Sequence, residues 1–158
     1  MINNEELRMF LNKADKPHAD GTAVIKRGSD GSSTIEYVDG KWSMHDNFFG
    51  GEPYGGRQIV RLNGEPVWMC LYYGAITDKT LNVHEVYDFL RKSLQKAPVN
   101  GFSRGPKSFK SGSFEYRNVA DGDITSYHGH ETIFLDGEKI YWADYMGGLV
   151  DQHAKGEY

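Results

Sequence analysis

The sequence predicts an α+β chain: two related antiparallel β meanders, one connecting helix between them and a short N-terminal helix. Three observations predict it. Nineteen glycines and 13% aromatic residues favour short strands joined by tight turns. Three Asp-Gly or Asn-Gly dipeptides, at Asp39, Asn63 and Asp136, sit between apolar-rich runs, the strongest short-range hairpin signal. Third, "LNGEPVWMCLYYG" from Leu62 is echoed by "LDGEKIYWADYMG" from Leu135.

A shift of 73 positions superposes Gly56, Leu62, Gly64, Glu65, Tyr72 and Gly74 on Gly129, Leu135, Gly137, Glu138, Tyr145 and Gly147 without a gap. Gln58 then meets Glu131, and Trp68 meets Tyr141. Matched flanks favour an internal duplication over convergent turn chemistry, with units at about 33–76 and 113–150. "IEY" from Ile35 and "FEY" from Phe114 are expected to correspond at a different offset.

Taken in order, Asn3 and Glu6 have capping-box spacing, and Leu7, Phe10, Leu11 and Ala14 form one stripe. This predicts a helix over 4–14 closed by Pro17. Residues 17–33 are expected to be loop with at most a short edge strand. Strand pairs follow around Asp39-Gly40 and Asn63-Gly64, joined by the Gly- and aromatic-rich "NFFGGEPYGG". Asn82 and Glu85 cap a helix over 83–96, with Val83, Val86, Tyr87, Leu90 and Leu94 on one face. "PVNGFSRGPKSFKSGS" reads as a loop carrying Arg104, Lys107 and Lys110. "FEYRNV" and "DITSYHG" read as one strand pair, and "HETIFLDGEKIYWADYMGG" as the last hairpin. The polar tail from Asp151 is expected to fray. The whole chain, 1–158, suits a single domain.

Composition narrows the function classes. A net charge of −4 argues against direct nucleic-acid binding, which needs a basic excess. No apolar run approaches the ~20 residues of a membrane helix, and the acidic N-terminus lacks a signal-peptide core. A cytoplasmic chain is the expectation. The single cysteine, Cys70, lies in an apolar run and reads as a buried hydrophobe. No GxSxG, HExxH or CxxC occurs, the Gly-rich loop lacks the Lys-Ser/Thr of a phosphate loop, and no cofactor is predicted.

Two-residue turns set strand faces. On that basis Gln58, Val60, Val67, Met69 and Leu71 share a core face, and Glu131, Ile133, Ile140, Trp142 and Asp144 share its counterpart. Glu131 and Asp144 would then lie within about 8 Å of each other. They are either structural acids, paired for instance with Arg104, or pocket acids with a raised pKa. Asp46 is a third candidate acid. His128 and His130 fall two apart on a strand, a spacing metal sites use, but no third ligand is fixed by spacing. Phe49, Tyr54 and Trp68 supply aromatic walls, and Arg104 an anion contact.

These motifs, from "HDNFFGGEPYGG" through "FSRGPKSF" to "GHETIFLDGEKIYWADYMGGLVD", resemble a bacterial family of domains of unknown function. The resemblance spans about residues 33–151. It implies a domain found free-standing and behind XRE-type helix-turn-helix regulators, with no assigned activity. The matching positions are Asp46, Phe49, Gly50, Gly51, Trp68, Tyr72, Tyr73, Gly74, Arg104, Gly105, Pro106, Glu131, Tyr145, Gly147 and Gly148. Gln58 stands where the family pattern has Glu, and the pattern does not require histidine at 128 or 130. The chain shows no helix-turn-helix of its own, so it resembles the effector part.

Three function classes follow. The first is a ligand-binding or regulatory domain using Asp46, Phe49, Tyr54, Trp68, Arg104, Glu131 and Tyr145. The second is a small hydrolase using Glu131 with Asp144 or Asp46. The third is a protein-interaction, inhibitor or immunity protein. The partner is accordingly a small molecule or a protein; the oligomeric state is not encoded in any feature above.

Overall fold

The structure is a computed structural model and describes residues 2–151 and His153. The described residues form α1 (Asn4–Asp20), β1 (Lys26–Arg27), β2 (Ser33–Asp39), β3 (Trp42–Phe49), β4 (Tyr54–Leu62), β5 (Glu65–Ile76), α2 (Val83–Leu94), β6 (Ser108–Ser111), β7 (Phe114–Asp123), β8 (Ser126–Leu135) and β9 (Glu138–Leu149). All strands join one antiparallel sheet in the order β1-β2-β3-β4-β5-β9-β8-β7-β6. The α+β meander layout holds. The two meanders, β2–β5 and β6–β9, meet edge to edge at β5 and β9 as a continuous sheet rather than as two facing sheets.

Local chemistry explains the elements. Asn3 caps α1 by accepting from the amides of Glu5 and Glu6. Pro17 lies inside the helix and does not close it. A proline this close to the end removes only its own amide from the ladder. The helix stops at Gly21, whose φ of 77° allows the left-handed cap. Asn82 caps α2 as its sequence signals, and Val86, Phe89, Leu90 and Ser93 form its buried face. Asn63-Gly64 and Asp136-Gly137 turn with paired positive φ values, 52° and 88° and then 50° and 87°, as a type I′ hairpin requires. The first hairpin turns at Gly40-Lys41, one residue later than expected, since Asp39 pairs with Trp42.

The second meander departs from expectation in its boundaries. Ser108–Ser111, expected as loop, is the edge strand β6. "SYHG" and "HETIFL" are not separate strands but the continuous β8. Phe114–Tyr116 therefore sits on β7, whose place in the sheet matches β3, not β2. The expected match of Ile35–Tyr37 with Phe114–Tyr116 fails accordingly. The expected frayed tail falls mostly outside the described residues.

The largest correction concerns faces. In the β4–β5 hairpin the register shifts between Val60 and Arg61, so Arg61 pairs with Pro66 but Val60 pairs with Trp68. Val67 is the extra residue of a β-bulge, and beyond it every side chain changes face. The β8–β9 hairpin repeats the irregularity between Ile133 and Phe134, with Ile140 as the extra residue. Hence Trp68, Cys70 and Tyr72 line the inner face with Gln58 and Val60, while Met69 and Leu71 point outward. Likewise Tyr141, Ala143 and Tyr145 join Glu131 and Ile133 inside, while Trp142 and Asp144 point outward.

The helices cover the inner face in two apolar clusters. Leu7, Phe10, Leu11 and Ala14 of α1 pack on Ile35, Trp42, Met44, Val60 and Trp68. Val86, Phe89 and Leu90 of α2 pack on Tyr116, Ile133, Tyr141 and Ala143. Gln95, just after α2, donates to the Ala19 carbonyl at the end of α1 at 2.9 Å. Between the clusters lies a polar strip.

The strip is shaped by two tyrosines that lie across glycines. Tyr72 pairs with Gly56, and a Cβ on Gly56 would stand 2.7 Å from its hydroxyl. Tyr145 pairs with Gly129, where a Cβ would stand 2.1 Å from its ring. Gly129→Ala is expected to cost about 1–3 kcal/mol in urea denaturation, because the buried ring must move. Gly51→Ala, where an added methyl meets nothing within 4 Å, should change stability by less than about 0.5 kcal/mol.

Candidate functional site

Each tyrosine reaches over its glycine to a polar side chain two strands away. Tyr72 on β5 donates to Asp46 Oδ1 on β3 at 2.5 Å. Tyr145 on β9 donates to Asn118 Oδ1 on β7 at 2.9 Å. Tyr72 and Tyr145 are themselves paired across the β5–β9 ladder. Flanking them, Asp46 pairs with Gln58 and Asn118 with Glu131. The strip thus has two matching halves, Asp46–Gln58–Tyr72 and Asn118–Glu131–Tyr145, with acid and amide exchanged between positions.

In the second half the acid is fully buried. Glu131 accepts from the hydroxyls of Tyr116 at 2.7 Å and Tyr141 at 3.1 Å, and Arg104 Nη1 stands 3.2 Å from its Oε1. The Tyr141 hydroxyl also meets that of Tyr54 at 2.6 Å. Arg104 comes from the loop between α2 and β6. That loop lies close on the sheet because Gly105 has no side chain: a Cβ there would be 2.2 Å from the Tyr116 hydroxyl. The Gly105 carbonyl accepts from Asn118 at 3.1 Å. The guanidinium stands over the rings of Tyr72 and Tyr145, 5.4 and 6.0 Å from their centroids. Burial by itself would lower the Arg104 pKa, but the Glu131 charge, with Tyr54 and Tyr141, outweighs it and raises the pKa further.

Arg104 is not satisfied by these contacts. Its Nη1 is buried and makes no hydrogen bond, so its approach to Glu131 is an ion pair alone. The side chain remains 19% exposed, so the guanidinium is reachable from the strip. A guanidinium has five N–H donors, and the part of this one that stays exposed can meet a further acceptor.

In the first half the acids lack a cation. Asp15, on α1, accepts from Gln58 Nε2 at 2.6 Å. Asp46 is 8% exposed, and burial pushes its pKa up to about 6 against the pull of Tyr72 and Arg104. Asp15 and His18 are exposed on α1. The neighbouring protein nonetheless pushes Asp15 up to about 6 by desolvation, with a smaller contribution from the Asp46 charge. Burial, with Arg104 and Arg91, pushes His18 down to about 4. Neither aspartate forms an ion pair among the described residues.

Of the residues expected from sequence, Asp46, Tyr54, Arg104, Glu131 and Tyr145 converge on this strip. Trp68 does not: it is buried under α1, donating to the Ile124 carbonyl at 3.0 Å and stacked on Tyr127. Phe49 points outward, 49% exposed. Asp144 lies on the outer face, paired across strands with His130, whose Nδ1 is 2.5 Å from its carboxylate. The expected approach of Glu131 and Asp144 is therefore corrected: the bulge at Ile140 puts them on opposite faces. His128 and His130 are exposed on the outer face, and among the described residues no group of three His, Cys, Asp or Glu gathers as a metal site. Cys70 is buried, which pushes its thiol up to about 11. Glu52 of the Gly-rich loop has a structural task, accepting from the Ile76 amide at 2.7 Å and from the Tyr87 hydroxyl.

Sequence reasoning missed Asp15, Gln58, Tyr116, Asn118 and Tyr141 as members of the strip. A signal existed for Gln58 and its surroundings, since Gly56, Gln58 and Tyr72 recur 73 positions on as Gly129, Glu131 and Tyr145. Asp15 had none, because the expected helix ended one residue before it.

A sequence profile described as a domain of unknown function (DUF5680) matches residues 46–150, which takes in the strip from Asp46 to Tyr145. No curated protein and no solved structure matches the chain. Among the described residues no helix is long and apolar enough to cross a membrane.

Two stability measurements test this account. Glu131→Ala leaves Arg104 without its anion and two tyrosine hydroxyls without an acceptor, and should cost about 3–5 kcal/mol in chemical denaturation. Glu131→Gln keeps acceptor oxygens and should cost distinctly less. For Asp46 the folded pKa, about 6, exceeds the ordinary 3.8 of the unfolded chain. Folding then takes up a proton between those values, so this group's contribution is most favourable below pH ~4 and is lost as pH rises to ~6. Asp46→Asn should flatten that decline by on the order of 2 kcal/mol between pH 4 and 7. Asp15 keeps its own titration.

Proposed function

The chain belongs to the DUF5680 family, and from that premise we propose that it is a ligand-binding or regulatory domain whose site is the polar strip between α1 and α2. The observation that carries this reading is Arg104: a guanidinium reachable by solvent, set over two tyrosine rings, with a buried nitrogen that lacks a hydrogen-bond acceptor. An anionic group of a small molecule would meet the exposed part of that guanidinium, on the side away from Glu131. Tyr54 and Tyr72 border the site. The role is that of a cytoplasmic effector-type domain, which reports ligand occupancy rather than transforming the ligand. The hydrolase alternative loses its Glu131–Asp144 pair, since Asp144 is on the other face, and keeps only Glu131 with Asp46, where Glu131 is already held by two tyrosines and an arginine.

The same reading takes the two meanders as copies of one ancestral unit. Its support is geometric. Turns and bulges recur 73 residues apart, and Tyr72 faces Tyr145 at the centre of the sheet, where a two-fold axis relating the halves would pass. The site would then lie on that pseudo-axis, where two equivalent surfaces meet and their differences produce an asymmetric strip.

An interaction role has one observation in its favour. Leu71, Tyr73 and Met146 are exposed on the outer face of the two central strands, beside a groove of about 360 Å³ lined by Met69, Leu71 and Met146. A solvated sheet face is ordinarily polar there.

Thermal-shift measurement against carboxylates, phosphates and sulfated compounds tests the primary reading. At least one anion should raise the melting temperature of the wild-type chain. Arg104→Lys should weaken the effect, and Arg104→Met should abolish it. A shift of equal size in Arg104→Met would refute the assignment.

A further inference from the structure

Both helices pack on the inner face, so among the described residues no helix covers the outer face of the sheet. Six of the ten large apolar side chains exposed among the described residues stand on that face: Val38, Phe49, Leu71, Tyr73, Val119 and Met146. So many on one face mark it as an interaction surface. Its charges are sorted by half. Arg57 and Arg61 on β4 and Asp121 on β7 form no ion pair among the described residues. Asp123, two residues after Asp121, accepts only from the neighbouring Thr125 among side chains. The other acids of this face have cations in their own half: Glu36 has Lys26, Glu115 has Arg117 and Lys110, and Asp144 has His130. Beside the central strands, the first half is thus left cationic and the second acidic.

We infer that this face docks a second copy of the chain, sheet on sheet, about a two-fold axis that runs parallel to β5 and β9 and between them. The strand register shows why a copy fits. One row across the sheet reads Asn47, Arg57, Leu71, Met146, His128, Asp121, and the next reads His45, Ile59, Met69, Gly148, Ser126, Asp123. The two-fold lays β5 on β9 of the second copy, β4 on β8 and β3 on β7. Leu71 then meets Met146 of the second copy, Met69 meets the side-chain gap at Gly148, and Phe49 meets Val119. Arg57 comes over the strand beside Asp121, and His45 over Asp123, so the cationic half of each copy faces the acidic half of the other. Every contact occurs twice, as an isologous interface requires. The groove at Met69, Leu71 and Met146 is the space that the second copy fills. The seven long strands, at about 4.8 Å spacing and about 3.3 Å per residue, present on the order of 800 Å², which is about what each partner gives a stable complex. Arg104 lies on the inner face, so this inference is independent of the ligand reading.

Sedimentation velocity on the full chain, from about 1 to about 200 µM, tests the assignment. The mass should rise with concentration toward twice the 17.9 kDa of one chain. Raising the salt from about 0.1 to about 0.5 M should weaken the dimer, because its rim pairs are charged. Leu71→Glu and Met146→Glu should each weaken it by about tenfold or more. Both side chains are exposed in the single chain, and the melting temperatures of the variants check the fold. A charge swap tests the two-fold itself. Arg57→Glu and Asp121→Lys should each weaken the dimer by about tenfold, and the two together should restore it to within about threefold of wild type. Within one chain these residues lie four strands apart, about 19 Å, too far to compensate one another in salt. A chain that stays monomeric throughout this range overturns the proposal. So does a dimer indifferent to both glutamate substitutions, or a swapped pair no better than its single substitutions.

Discussion

Glu131 is the constraint around which the second half of the molecule is arranged. A carboxylate with no exposed surface must be answered by donors or an opposite charge, and its partners come from different segments. Tyr116 comes from β7, Tyr141 from β9 and Arg104 from the loop after α2. Gly105 follows, because the loop can bring Arg104 down only where no Cβ strikes Tyr116. Asn118 then holds the Gly105 carbonyl while accepting from Tyr145. One buried charge thus fixes a loop, three strands and the glycine that lets them meet.

The first half places its acids differently. Gln58 stands where the second half has Glu131, and the carboxylates come from Asp46 on β3 and Asp15 on α1. Tyr72 keeps the part that Tyr145 plays, lying over its glycine to reach β3. The scaffold is shared between the halves while the electrostatics are not. One half closes its ion pair internally, and the other leaves two acids beside Gln58, with the Asp46 charge adding to the rise of the Asp15 pKa. This asymmetry, more than the fold, is what gives the strip a direction.

Much of the fold was legible because it depends on local chemistry. Asn-Gly and Asp-Gly turns, the Asn3 and Asn82 caps and the 73-residue echo are short-range signals with definite backbone consequences. The face assignment was not legible from turn geometry, because one bulged residue in each hairpin inverts everything beyond it. The adjacent apolar pairs Val67-Trp68 and Ile140-Tyr141 were its trace: strict alternation does not produce two buried neighbours. That single slip moved Asp144 into the proposed site and left Tyr141 out. Residue type and loop context marked Asp46, Tyr54, Arg104, Glu131 and Tyr145, and the fold brings them to one strip. Asp15 was hidden by Pro17, which ends most helices but here sits near enough to the last turn to be carried.

The persistence of charge in this strip bears on function through energetics. Replacing a buried ion pair by well-packed apolar residues of similar volume is commonly neutral or stabilising, so stability alone gives no reason to keep Glu131 with Arg104. Apolar clusters already stand on both sides, under α1 and under α2, and could have been continued across the gap. Instead the chain holds a guanidinium that is ion-paired to Glu131 but has one buried nitrogen without a hydrogen bond, and two aspartates that form no ion pair among the described residues. Such a network is less stable than one fully satisfied from within. Under the proposed ligand-binding reading, occupancy of the strip would add to the stability of the sheet on which Tyr72 and Tyr145 meet, because a molecule that binds only the folded chain stabilises it by mass action.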